Sequence, residues 1–486
     1  MPRPTLSRGD RLLYGLGGAA PAAKEAAYTM FVLLFYTQVL GLGGTITGVI
    51  IALSLIWDGV SDPLVGSLSD RLHSRWGRRH PFMAMSVLPL GLGFVGLFSP
   101  PAAVAANTTW LAGWLLFWSL WVRTFVTTFA IPHLALSAEI TTDYHERSQV
   151  LGARLATMFL FAVLLPAAGM YWIFPESAGQ DGRFEAENYP LYGALSCLVV
   201  WLTTSLSTVG TRQHARNAPR ALEERTTLLQ LGRDLWRTLD NRNFRYLIAY
   251  DMAATGAYGV ITSLNMLVWT FFWSFSAFQV SIILSLPSLL AVALATLSLG
   301  PLGRLAPKHR LVQLALAGLI LNCLWLYPAA LLGWLPDSPS LRFWLNFLFM
   351  FLFMYLFLLR LINSTSIVAD LTDEHELAHG VRQEGSYFAV INFVSKLATV
   401  VGPLYGGLAL DWVGLSAGMR PGDVPESTRE GLVYALGLGV IPALLLALLA
   451  IARVHTSEAN LRAVQAAIAE RRDTESRTRD GSQTKA

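Results

Sequence analysis

Twelve apolar runs of about twenty residues or more divide this chain, and that is the length a helix needs to cross the hydrocarbon core of a bilayer. They lie near 14–42, 46–69, 82–101, 108–136, 150–174, 189–209, 245–273, 277–300, 311–334, 342–368, 386–410 and 430–453. Backbone inside lipid must satisfy its own hydrogen bonds, so such runs fold as helices and not as open sheet. Of 486 residues, 53% are hydrophobic and only 14% charged, where soluble domains carry about 25%. The expected fold class is an all-α membrane protein with twelve transmembrane helices. No short cleavable signal is read at the start, because Met1 to Arg11 leads into a full-length run.

Charge distribution orients these runs. Basic residues gather in alternate connections: Arg71, Arg75, Arg78 and Arg79 after the second run, seven arginines from Arg212 to Arg242, and Arg304, Lys308 and Arg310 after the eighth. Opposite connections are short or acidic, with Glu176, Asp181, Glu185 and Glu187 around Arg183. The positive-inside rule therefore places both termini and the long middle connection in the cytoplasm of a multi-pass protein in a plasma or bacterial inner membrane. Bases spread this way mark topology, so no nucleic-acid partner is expected. Cys197 and Cys323 sit in apolar runs of different halves and imply no disulfide.

The middle connection splits the chain into a six-helix bundle over 1–209, a loop over 210–244, a second bundle over 245–453 and a partly disordered tail over 454–486. Ala138-Glu139-Ile140-Thr141 returns as Ala369-Asp370-Leu371-Thr372, 231 residues later, mapping the fourth run onto the tenth as a parallel repeat requires. Leu222 to Leu239 is weakly amphipathic and suits either a membrane-surface helix or a solvated linker.

Ionisable residues inside the runs carry the functional reading. Asp58 and Asp62 are four apart, so a helix sets both carboxylates on one face. An Asp at a helix centre costs roughly 2.5–3.5 kcal/mol to insert, so two together need a cation, a proton or a basic partner; a purely structural ion pair is the competing reading. Lys396 sits three turns into the eleventh run and needs a carboxylate or a wet cavity. Two acids and one base make a switch in which bound Na⁺ or H⁺ replaces the ammonium. Lys24, Glu25, Arg123 and Arg154 also interrupt runs, with Glu25 a candidate for facing a cavity. Arg360 and Asp251 lie within reach of run ends and are expected to snorkel. Pro63 frees the Gly59 carbonyl, Thr127 and Thr128 offer hydroxyls, and His133 reads as structural. Trp114, Trp118 and Trp121 form one stripe, either a lipid-facing surface or a substrate platform. No phosphate-cradling loop of an ATP-driven pump is present, so energy should come from an ion or solute gradient.

Trp57-Asp58-Gly-Val-Ser61-Asp62-Pro63-Leu-Val-Gly66, followed by Arg75-Trp-Gly77-Arg78-Arg79-His-Pro81, resembles the second-helix signature of the glycoside–pentoside–hexuronide:cation symporters, the melibiose-carrier group of the major facilitator superfamily. The stretches Ile131-Pro132 to Arg147, Asp370 to Gly385 and Phe393-Val-Ser-Lys396 are similar to further patterns of that family. The resemblance implies two pseudo-symmetric six-helix bundles, alternating access, and a cation site on Asp58 and Asp62 near Lys396. There are departures: Ala22 and Ala130 stand where sugar-binding members carry Asp, and Ser61 stands where Na⁺-using members carry Asn, while Thr127 and Arg154 match. The Arg78-Arg79-His-Pro81 loop resembles that of plant sucrose carriers in the same branch, which also holds an animal lysophosphatidylcholine carrier.

The expectation is a secondary active transporter, not an enzyme, that couples Na⁺ or H⁺ entry to uptake of a sugar, glycoside or related small organic solute. The alternatives are a carrier of an anionic or amphiphilic, lysolipid-like substrate and a proton-antiport exporter. Asp58, Asp62, Ser61 and Thr127 are expected to bind the cation, with Na⁺ the one metal considered, and Lys396 to couple it. Glu25, Lys24, Arg154, Trp121 and Arg123 are substrate candidates; Asp70, Arg71, Arg78, Arg79, Glu139, Arg147, Asp370 and Arg382 are gating candidates. No cofactor is expected, and a monomer is the default.

Overall fold

The computed structural model describes residues 6–72, 74–141, 143–177, 180–215, 239–379 and 384–454. Most of the middle loop, the tail beyond 454 and Arg382 lie outside them, as does the amphipathic stretch up to residue 238. The described chain forms twelve helical rods. The first, α1, spans 8–39 and is segmented, with Arg8–Gly15 and Ala19–Ala26 joined by a 3₁₀ turn and continued by wider π turns. Then come α2 (Gly44–Arg71), α3 (His80–Phe98), α4 (Thr108–Ile140), α5 (Tyr144–Ala168) and α6 (Tyr189–Ala215). The second half holds α7 (Arg242–Leu267), α8 (Ala277–Leu305), α9 (Lys308–Leu331), α10 (Pro339–His379), α11 (Glu384–Thr399 with Val401–Trp412) and α12 (Glu426–Val433 with Ile441–Ile451). The one sheet among the described residues pairs Glu176–Ser177 with Gln180–Asp181.

Ten of these rods are long and apolar enough to cross a membrane; α1 and α7, the first rod of each half, fall short of the expected twelve. Both are sheathed by protein. Tyr14, Ala19, Ala23 and Phe31 of α1, and Phe244, Tyr250, Leu264 and Leu267 of α7, are buried. A rod wrapped by neighbours instead of lipid can hold Lys24 and Glu25, or Asp251 and Asn265, where a lipid-facing rod cannot. α2 continues unbroken through Pro63, so the expected loosening there amounts to one missing backbone donor.

The halves meet along α2 with α11 and α5 with α8. At the face opposite the termini this contact is backbone-close. A Cβ at Gly48 would lie 2.4 Å from the Pro403 carbonyl, and one at Gly407 2.3 Å from that of Gly44; only glycine permits such an approach. Asp411 of α11 accepts from the Gly44 and Thr45 amides at 3.2 and 2.9 Å, capping α2, whose own N-cap, Gly43, has no side chain to do so. On the same face the Arg183 guanidinium, 2% exposed, pairs with Asp181 and reaches across to the Thr270 hydroxyl at 2.9 Å and the Phe275 carbonyl at 2.6 Å.

Candidate functional site

Halfway along α2, the two aspartates take different partners. Asp58 is 4% exposed, and one of its oxygens, Oδ2, receives both Lys24 Nζ of α1 at 2.9 Å and Arg123 Nη1 of α4 at 2.5 Å. Arg123 is locked: its Nε donates to Ser54 Oγ at 2.7 Å and its carbon lies 4.6 Å from the centre of the Tyr28 ring. The other carboxylate oxygen of Asp58, Oδ1, is buried with no hydrogen-bond partner.

One turn further, Asp62 accepts a hydrogen bond from Thr127 Oγ1 at 2.8 Å and forms an ion pair with Lys396 of α11. That pair joins the two halves. Ser61 Oγ donates to Thr127 Oγ1 at 3.4 Å, so two hydroxyls and two carboxylates from α2 and α4 share one neighbourhood. Oxygen donors of this kind suit Na⁺, and an orphan carboxylate oxygen suits either Na⁺ or a proton. Among the described residues no three His, Cys, Asp or Glu side chains group to hold a transition metal.

The remaining candidates are placed as follows. Lys24 and Arg123, read from sequence as substrate residues, both hold Asp58, and Arg123 spends its donors on protein. The sequence offers the Asp58/Asp62 pair as the partner of Lys396, one carboxylate of which it can neutralise; in the structure Lys396 pairs with Asp62. Glu25 is exposed and makes no ion pair among the described residues. Among the described residues Arg154 has no carboxylate within 4 Å, and its Nε is buried without a partner. Trp121 is turned away from the carboxylates: its indole donates to the Pro89 carbonyl of α3 at 2.8 Å, while Trp118 covers Gly96 and Trp114 donates to the Gly96 carbonyl at 2.8 Å. The tryptophan stripe is a seam between α3 and α4, because small residues on α3 leave room for the rings.

Two expectations are corrected outright. Arg360 and Asp251 do not snorkel; they are 1% and 6% exposed. Asp251 is held by the Ser395 and Thr255 hydroxyls, and Arg360 donates to Tyr250 Oη at 3.2 Å and stacks on Phe357. These polar partners come from α7 and α11, rods whose facing no single-run pattern reveals. His133 is fully buried, its Nε2 donates to the Tyr14 carbonyl at 3.0 Å, and its ring stacks on that of Tyr14.

Near the terminus-bearing face, Arg79 pairs with Asp70 and with Glu139 at 3.1 Å, and Arg78 meets the same Glu139 oxygen at 2.7 Å. Arg71 ends α2. Asp370 pairs with Lys308 at 2.8 Å. Arg147 makes no ion pair among the described residues; its neighbour Glu146 does, with Arg11 at 4.0 Å.

The family model for MFS/sugar transport proteins matches residues 13–456. The inner membrane symporter YicJ of Escherichia coli is 23% identical over 455 residues, covering 90% of this chain and 89% of YicJ. An uncharacterized symporter of Synechocystis, sll1374, is 31% identical over 169 residues, a stretch that spans 31% of that protein. Among solved structures, a bacterial homologue of the human lysosomal transporter Spinster, inward-facing and unoccupied, aligns with TM-score 0.64 at 13% identity over 92% of this chain and 96% of its own. That likeness is one of fold: helical rods of the major facilitator type. With the family model running through both halves, the chain belongs to the MFS/sugar transport protein family.

Proposed function

We propose that this protein couples entry of Na⁺ or H⁺ to uptake of a sugar, glycoside or related small organic solute by alternating access. The observation that carries the reading is the Asp62–Lys396 pair, formed between α2 of one half and α11 of the other beside the Thr127 hydroxyl. A cation arriving at Asp62, with Thr127, Ser61 and the orphan Oδ1 of Asp58 as further oxygens, takes the place of the ammonium. The bridge between halves then dissolves, and the change in relative stability is what biases one access state over the other. A relative in Escherichia coli that bears the name putative glycoside/cation symporter YagG, 26% identical over 455 residues, supports coupling to a cation.

In this reading Asp58 is the fixed partner of Arg123 and Asp62 the exchangeable one. The terminus-bearing face is cytoplasmic, so the Asp70, Arg78, Arg79 and Glu139 cluster and the Lys308–Asp370 pair lie at the inner gate. The protein works as a monomer in a plasma or bacterial inner membrane, and no cofactor enters the cycle.

Ion binding is testable without knowing the solute. Purified protein is melted across a Na⁺ titration at alkaline pH and across a pH series without Na⁺. Binding at 100 times Kd stabilises the folded state by about 2.7 kcal/mol, so the wild type should gain several degrees with one of the two ions and Asp62→Asn with neither. An ion response that survives in Asp62→Asn, or is missing from the wild type, defeats the proposal.

A further inference from the structure

Two arginines from different helices meet on one tyrosine, with no acid between them. Tyr246 lies one turn into α7, at the terminus-bearing face. The Arg242 guanidinium sits 5.7 Å from the centre of its ring and donates to its hydroxyl at 3.4 Å. The Arg453 guanidinium, just past the end of α12, sits 5.8 Å from the same centre. Arg245 stands nearby on α7, and all three arginines are exposed. None forms an ion pair among the described residues, and Asp240, close before Arg242 in the chain, does not answer it. Cation–π attraction holds each guanidinium on the ring, but it does nothing for the repulsion between the two. An anion between them would.

The surface leading deeper from this cluster is apolar. On α7, Arg245, Ala249 and Met252 follow at the spacing of one helix face and are exposed; on α12, Leu446, Leu449 and Arg453 do the same. The two rods pack against each other. With a rise of about 1.5 Å per residue, Met252 and Leu446 lie about 10 Å deeper than the arginines of their stripes. Positive charge at the rim above two outward apolar faces is the outline of a phospholipid, phosphate above and acyl chains below. We infer that the terminus-bearing ends of α7 and α12 bind an anionic phospholipid, its phosphate between Arg242 and Arg453 and its chains on Met252, Leu446 and Leu449. Arginine suits this task, since its planar fork takes two phosphate oxygens at once and is less strongly hydrated than an ammonium. Bases scattered around a rim attract anionic lipid loosely; two guanidiniums converging from separate helices fix one headgroup. The lipid so held ties the start of α7, where the second half begins, to the end of α12. The site lies away from Asp58, Asp62 and Lys396, so it stands whichever ion and solute the protein carries.

For the test, purified protein in a neutral detergent is melted while phosphatidylglycerol, phosphatidylcholine or inorganic phosphate is titrated in. The wild type should gain several degrees with phosphatidylglycerol and little with the other two. Given what one basic residue near a lipid surface contributes, Arg242→Gln or Arg453→Gln should weaken phosphatidylglycerol about fivefold, and the two together about thirtyfold. Both side chains are exposed, so these variants should melt near wild type without lipid; should the double variant fail to fold, the single ones decide. Arg304→Gln with Arg310→Gln, exposed bases of the α8–α9 connection, should keep the wild-type response. Equal gains from phosphatidylcholine, or unchanged affinity in the Arg242 and Arg453 variants, overturn the inference. A gain from inorganic phosphate as large as from the lipid overturns it too, by making this a site for a soluble anion. Loss of the response in the Arg304 and Arg310 variant also overturns it, by reducing the effect to general rim charge.

Discussion

Asp58 and Asp62 look alike in the sequence and are unlike in the structure. Their spacing puts both on one helix face, which was legible; which neighbour answers each was not, because the three cations come from α1, α4 and α11 and depend on how those rods are turned. The difference has an energetic consequence. Removing one partner of a buried pair costs about 3–5 kcal/mol, because the other charge is left buried and alone. Asp58→Asn does that to Arg123, which is 2% exposed, so its melting temperature and folded yield should fall sharply. Asp62→Asn leaves Lys396 a route to water, so it should melt near wild type while losing its ion response. Equal destabilisation by the two substitutions would show that Asp58 and Asp62 share their cations after all. The buried Asp251 and Arg360 teach the same lesson: distance from the end of an apolar run measures depth along a helix, not which polar side chains wait beside it.

At the scale of elements, what the apolar runs announced was the number and order of rods; what they hid was the α2–α11 seam. In the sequence nothing sets Gly44, Gly48 and Gly407 apart from the other glycines of the apolar runs, or Asp411 from other acids near a run end. Together they bring two helices into backbone contact and let one half cap a helix of the other. A cap of this kind contributes about 0.5–2 kcal/mol, comparable to the energies that separate access states. Asp411→Ala should therefore raise hydrogen exchange at the first-turn amides of α2, Gly44 and Thr45, by a factor of a few to about thirty, while α3 and α9 exchange as before. Unchanged exchange at those two amides would mean the cap is incidental to closure. Gly407→Val, which drives a side chain into the Gly44 carbonyl, should produce the same opening by a steric route.

For the whole molecule, the basic middle connection and the returning Ala-acid-hydrophobe-Thr tetrapeptide predict a division into halves, but how the two parts of the chain hold each other is not legible there, because some joining residues are scattered over separate rods and others lie in short acidic connections with no pattern of their own. Arg183 is the clearest of these. Amid Glu176, Asp181, Glu185 and Glu187 it passes for a lone exception to a charge rule, yet its guanidinium is buried and spans from the α5–α6 connection of one half to Thr270 and Phe275 of the other. Glu185 with Arg420 at 3.6 Å and the Gly418 amide on the Thr37 carbonyl at 3.1 Å tie the same face. If this face is the closed gate, loosening it must open a path to the centre of the molecule, not only free the connection. Glu25 is exposed within α1 and makes no ion pair among the described residues, so Glu25→Cys reports on that path. In sealed vesicles, a membrane-impermeant maleimide applied from the face opposite the termini should label Glu25→Cys slowly, and several-fold faster when Arg183→Gln is added. The native Cys197 and Cys323 are buried and set a low background. A labelling rate that ignores Arg183→Gln, while exchange in the 180–188 connection rises, would reduce the buried guanidinium to a local staple and leave the gate to the glycine seam alone.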